Sequence, residues 1–161
     1  EYGLLSYEKL SLLRATEIAD YIRSSGYYNL KAKRLKNLLD MIRNQYDDDF
    51  SCFLADDALQ ARENLLGVKG VGPETADSIL LYCCGYPVFV VDTYTHRVFS
   101  RHNMVDEETD YHTMQDMFVA NLPQDRQLFN EFHALIVTVA ARYCKKTKPL
   151  CGKCPLQGLN M

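Results

Sequence analysis

The chain predicts an all-α protein of two helical lobes, and three observations carry that prediction. Nearly every periodic segment repeats its apolar residues at helical spacing. Only Val88–Val91 looks extended, and so short a segment without a partner strand makes no sheet. Gly85-Tyr86-Pro87 must break the helix that reaches it, which sets the boundary between lobes at 1–86 and 87–161 and leaves residues 86–92 to cross between them.

Taken in order, Thr16 can cap a short helix through Ile18, Ala19 and Ile22. Ser25-Gly26 and Tyr27-Tyr28 then form a tight connection. Asn29 can cap a second helix, whose stripe is Leu35, Leu38, Leu39 and Ile42. Asp47, Asp48 and Asp49 read as a solvated loop. Residues 66–76 are the most informative: Leu66-Gly67-Val68-Lys69-Gly70-Val71-Gly72-Pro73-Glu74-Thr75-Ala76 reads as a glycine turn opening into a helix, whose apolar face Ala76, Ile79 and Leu80 continue, so that the whole motif spans 66–80. Gly70 and Gly72 can take backbone angles closed to other residues. Pro73 suits the first helical turn, where no amide donor is needed. Leu128, Phe129, Phe132, Leu135, Ile136, Val139, Ala140 and Tyr143 make a long, largely buried helix.

The composition is that of an ordinary globular chain: 161 residues, 47% apolar and 24% charged. No apolar run is long enough to span a membrane, and no leader is visible, so a cytoplasmic location is expected. The net charge of −3 argues against a general polyanion binder. Lysines nevertheless crowd two segments, one holding Lys31, Lys33, Arg34 and Lys36 and the other Lys145, Lys146, Lys148 and Lys153. Six cysteines without a secretory signal do not suggest disulfides. Cys52, Cys83 and Cys84 sit among apolar neighbours and are expected to be buried thiols.

Three features carry chemistry. The glycine turn points amides outward at the positive end of a helix dipole, which suits a phosphate, although a plain helix start explains the glycines equally well. Asp92, followed by Thr93-Tyr94-Thr95-His96-Arg97, is a good helix cap, and a carboxylate held ionised by amides can also stabilise a developing cation or activate water. Cys144, Cys151 and Cys154 lie in a polar loop after the long helix and read as a metal or iron–sulfur site.

Together these residues resemble the endonuclease III superfamily of helix-hairpin-helix DNA glycosylases along essentially the whole chain. Residues 25–32 look like the family's lysine-bearing helix start, residues 66–76 like its hairpin and Val90-Val91-Asp92-Thr93 with Arg97 like its catalytic segment. Phe132 to Cys154 is similar to its last helix and cluster loop. The resemblance implies a partial six-helix barrel with the hairpin, a second helical lobe ending in a 4Fe–4S loop, and a monomer acting on double-stranded DNA. Lys69, Gly70, Val71, Gly72 and Thr75 would contact the backbone of one strand, with Lys31 and Arg97 nearby and a monovalent cation on hairpin carbonyls. The damaged nucleotide would be flipped out, and Asp92 would stabilise the sugar's cationic transition state. Tyr27, Tyr28 and Tyr94 are candidates for the base pocket, where a cationic base favours aromatic faces.

The sequence departs from the family in three ways. Glu74 stands where bifunctional members carry the lysine that attacks C1′, and a glutamate cannot form an imine. That points to a monofunctional glycosylase, and this glutamate is similar to the branch acting on 3-methyladenine and related alkylated purines. A lyase acting on oxidised pyrimidines is the alternative, and a non-catalytic DNA-binding module is the alternative of another class. The fourth cluster cysteine falls on Asn160, so three thiolates must find another ligand, or else hold zinc. The family also carries about 50 more residues before this chain's start, by analogy of fold.

Overall fold

The computed structural model describes residues 3–159. Among them the regular secondary structure is all helical, with no strand. The chain forms two compact units, Glu1–Ala76 and Asp77–Met161, so the division falls earlier than the break at Gly85-Tyr86-Pro87.

The first unit contains α1 (Tyr7–Ser11), α2 (Ala15–Tyr21), α3 (Tyr28–Tyr46), α4 (Phe50–Ala55), α5 (Ala58–Leu66) and the start of α6 (Pro73–Ile79). One core cluster in it is Ile18, Ala19, Ala32 and Leu39, with Leu35 and Tyr28 packed against it, and Ile42, Phe53, Ala61 and Leu65 are buried as well. Two expected caps are displaced. Thr16 lies inside α2, which begins after Arg14, and the Arg14 amide donates to the Glu17 carboxylate at 2.7 Å. Asn29 lies inside α3, because Gly26 at φ 64° and Tyr27 at φ 47° turn the chain first and Tyr28 opens the helix. The acidic loop is exposed as expected, and Asp49 ends it by capping α4 through the Ser51 amide at 2.8 Å.

The second unit opens with a π turn over Leu80–Cys84, closed when the Gly85 amide reaches back to the Leu80 carbonyl. Residues 88–91 take no regular secondary structure, with Phe89, Val90 and Val91 buried. Three helices follow: α7 (Thr93–Arg101), α8 (Tyr111–Asn121) and α9 (Arg126–Arg142). Asp92, Asp110 and Asp125 each cap one of them by accepting a backbone N–H. Phe89 anchors the core, stacked on Phe118 at 3.8 Å between centroids and edge-on to Phe129 at 5.3 Å.

Asp77 is fully buried and satisfied: it accepts from the Tyr111 hydroxyl at 2.7 Å and from Gln115 Nε2 at 2.8 Å. Gln115 also donates to the Phe89 carbonyl at 2.6 Å. That bond ties α8 to the buried segment leading into Asp92.

The expectation of buried thiols fails for the first three cysteines. Cys52 and Cys83 are exposed and Cys84 is only half-buried. Apolar neighbours in sequence do not bury a residue that its helix turns outward.

Candidate active site

Asp92 follows the buried segment 88–91 in the β region, at φ −117° and ψ 178°, and its side chain turns back over the first turn of α7. Its Oδ1 accepts from the Thr95 amide at 2.7 Å and from the Thr95 hydroxyl at 2.8 Å. Thr95 is fully buried, so both donors are fixed. The second oxygen, Oδ2, faces His133 Nε2 of α9 at 3.6 Å, an electrostatic distance longer than a hydrogen bond. The side chains of Asp92 and His133 are 10% and 12% exposed. On the far side of the imidazole, the Tyr82 hydroxyl lies 2.5 Å from Nδ1.

Burial pushes the Asp92 carboxyl up, but His133 together with the amide and hydroxyl of Thr95 outweighs it, and the group titrates below its ordinary value. Burial, and then the negative charge of Asp92, push the Tyr82 phenol up. The site therefore presents an ionised carboxylate beside a neutral phenol at physiological pH. Such a carboxylate can stabilise a positive charge developing next to it and can accept a proton from water.

Tyr94 and Arg97 stand on the same helix. The guanidinium lies over the Tyr94 ring at 4.9 Å, and Arg97 Nε donates to the Cys144 carbonyl at 2.7 Å. Arg101 donates to the carbonyls of Lys145 at 2.8 Å and Lys146 at 3.0 Å, and its Nη1 lies 3.4 Å from Cys144 Sγ. Two arginines of α7 thus hold the start of the cysteine loop.

Cys144, Cys151 and Cys154 line a single cavity of about 580 Å³. Soft thiolates fit an iron–sulfur cluster or zinc. Among the described residues, however, no three Cys, His, Asp or Glu side chains converge as a metal-holding group. Position 160, where the sequence points to a fourth ligand, lies outside the described residues. The donors share a cavity without closing on a metal.

In the first unit, only Gly70 of the two turn glycines needs its freedom. Its φ is 99°, and an added Cβ would stand 2.6 Å from Arg34 Cγ. Gly72 has no positive φ and open space around its Cα. The Val71 amide is spent inside the turn on the Val68 carbonyl at 3.0 Å, while Asn37 Nδ2 donates to the Lys69 carbonyl at 2.8 Å. The Gly70 and Gly72 amides take no backbone acceptor among the described residues. Lys69, Glu74 and Thr75 are exposed beside them, with Glu74 in the first turn of α6. Lys31 Nζ is bound to the Ser25 carbonyl at 2.6 Å. Of the aromatic candidates, Tyr27 is 87% exposed and Tyr94 36% exposed, while Tyr28 packs against the core of its unit.

Sequence reasoning missed Thr95, Tyr82 and His133. Thr95 was findable as the third residue after a capping Asp, where its amide must point at the carboxylate. His133 and Tyr82 are 51 positions apart, and only the fold brings them together.

The helical fold, with its glycine turn and its buried capping carboxylate, belongs to a class of base excision DNA repair proteins. The chain belongs to the HhH-GPD superfamily of base excision DNA repair proteins, whose pattern it matches over residues 1–121. It is 43% identical over 153 residues to a candidate DNA repair glycosylase of Methanocaldococcus jannaschii, covering 93% of this chain and 69% of that protein. It is similar to the structure of an H. pylori 3-methyladenine DNA glycosylase bound to 1,N6-ethenoadenine, with a TM-score of 0.73 and 31% identity over 84% of this chain and 67% of that one. An endonuclease III–DNA complex shares the fold at a TM-score of 0.77 and 23% identity, covering 97% of this chain and 68% of that one. The chain thus spans about two thirds of the length of these relatives.

Proposed function

We propose that this chain is the core of a monofunctional DNA glycosylase that hydrolyses the glycosidic bond of a flipped, damaged base, with alkylated purines such as 3-methyladenine favoured. The observation that carries the proposal is Asp92, nine-tenths buried, held ionised and braced through one oxygen by Thr95. As the C1′–N bond breaks, its electron pair leaves with the base, and the carboxylate stabilises the sugar cation. Water then attacks C1′, and its proton passes to Asp92 and on to solvent. An N3-alkylated purine is already cationic and departs neutral, so no strong general acid is needed.

The amides of Gly70 and Gly72 would hold a phosphate of one strand, with Lys69, Val71 and Thr75 alongside and Lys31 and Arg97 as further contacts. A monovalent cation would sit on the carbonyls of the same turn. Tyr27, Tyr28 and Tyr94 would offer faces to a cationic base. Glu74 supports hydrolysis over lyase chemistry, because no amine stands at that position to form an imine. The 31% identity to a 3-methyladenine glycosylase supports the choice of substrate. Cys144, Cys151 and Cys154 would bind a 4Fe–4S cluster whose role is to hold the C-terminal loop folded.

The test is incubation with duplexes carrying 3-methyladenine, oxidised pyrimidines, mismatched thymine or mismatched adenine. The expected result is free alkylated base and an abasic site in an uncut strand. A protein–DNA adduct trapped by borohydride would replace this proposal with the lyase. DNA binding without base release from any lesion would replace it with the non-catalytic module. Iron stoichiometry and a visible charge-transfer band test the cluster, and a colourless protein with bound zinc would overturn it.

A further inference from the structure

We infer that His133, held by Tyr82, is the positioning residue for Asp92: a proton on Nε2 bonds the free carboxylate oxygen and fixes the direction in which Asp92 faces the sugar. The inference deepens the proposed function, because it assigns a partner to the carboxylate invoked there.

The argument starts from an orphaned atom. His133 Nε2 has essentially no solvent exposure and no hydrogen-bond partner, yet it stands 3.6 Å from Asp92 Oδ2. A buried nitrogen left unpaired loses its hydration without a bond to replace it. A shift of a few tenths of an ångström would close the gap to hydrogen-bond length. Helix α9 packs against both α7 and the π turn, so Asp92 and Tyr82 are brought to the ring by the two elements that touch it.

The proton's place follows from Tyr82. A phenol that donates to Nδ1 at 2.5 Å leaves the lone pair there and the ring proton on Nε2. The opposite tautomer would set an Nε2 lone pair against a carboxylate oxygen, which is repulsive. A doubly protonated ring would again point a proton at Asp92. Every favourable arrangement therefore donates to Oδ2.

The two carboxylate oxygens then have separate duties. Oδ1 is committed to Thr95 and to starting α7. Oδ2 is the oxygen left for chemistry, and His133 is the group placed to fix its orientation from the side away from Thr95. Burial of the carboxyl opposes its charge, so a donor on Oδ2 also helps to keep it ionised.

The experiment compares His133→Leu, His133→Gln and Tyr82→Phe with the wild-type chain. His133→Leu should slow single-turnover release of 3-methyladenine about tenfold or more, the usual loss for an outer-shell orienting partner, with duplex affinity unchanged. His133→Gln restores an N–H donor and should recover most of the rate. Equal rates for wild type and His133→Leu, or a Gln variant as slow as the Leu variant, would overturn the inference. Histidine nitrogen NMR on the wild type reads the pair without turnover and covers a variant that fails to fold. It should find His133 protonated on Nε2, with a resonance that moves in Asp92→Asn and a tautomer that loosens in Tyr82→Phe. A proton held on Nδ1 alone, or a resonance indifferent to Asp92→Asn, would also overturn it. If the wild type releases no base from any lesion, the glycosylase proposal fails while the NMR still decides the pairing.

Discussion

At the glycine turn the groups proposed to bind are backbone amides on an exposed loop; at Asp92 the groups proposed to act are side-chain oxygens enclosed by donors from the second unit's own elements. The turn depends on conformation, since Gly70 at φ 99° aims its peptide planes and Arg34 covers the space where a side chain would stand. The acid depends on partners: Thr95 on one oxygen and His133 facing the other. A phosphate carries its charge wherever it lands, so amides in water suffice for it. A sugar cation exists only in the transition state and needs a carboxylate aimed before it forms.

Breaking each region should fail in a different way. Asp92→Asn removes the charge and nearly nothing else, so base release should fall by about 10²–10³-fold, the scale of losing a preorganised electrostatic group, with duplex affinity preserved in a binding titration. Unchanged turnover would remove Asp92 from the chemistry. Thr95→Val keeps the buried shape but deletes a hydroxyl donor to a charged acceptor, which should cost about 1.5–3 kcal/mol of stability in denaturant unfolding.

The turn should respond through geometry. Gly70→Ala forces a side chain into a positive-φ position and against Arg34, so it should cost about 1–2 kcal/mol and weaken duplex binding. Gly72→Ala meets open space and should stay within about 0.5 kcal/mol. Equal effects at the two glycines would mean that backbone strain does not distinguish them. The gentlest test is pH. Asp92 is held below its ordinary value, so the stability it supplies is complete above the unfolded carboxyl range and is lost as pH falls through the lower folded value. The melting-temperature gap between wild type and Asp92→Asn should therefore shrink on acidification, and a widening gap would reverse the assignment.

The same contrast explains what was legible beforehand. A glycine turn followed by Pro73 is written in consecutive residues, and so are an aspartate before Thr93-Tyr94-Thr95 and the spacing of Cys144, Cys151 and Cys154. The helical nature of the chain followed from apolar periodicity alone. Helix starts at Asn29 and Thr16 were misplaced because Tyr27 takes a left-handed conformation that a tyrosine does not advertise, and because a glutamate across one turn closed α2 without a side-chain cap. His133 was hidden in an apolar stripe beside Phe132, Leu135 and Ile136. Its function depends on residues that only packing could bring near.

The π turn at Leu80–Cys84 has a consequence for how such a chain can change over generations. The π turn that ends α6 holds one residue more than an α-helical turn would, which is the mark an insertion leaves. Removing any one of those residues would let α6 keep its regular bonding up to its end at Gly85. The step would also rotate what precedes or follows it by about 100°, and Tyr82 would leave His133. The irregular turn, less stable than the helix it replaces, is then protected by the side chain it aims, and single-residue deletions there should be lost from active descendants while substitutions at Cys83 are tolerated.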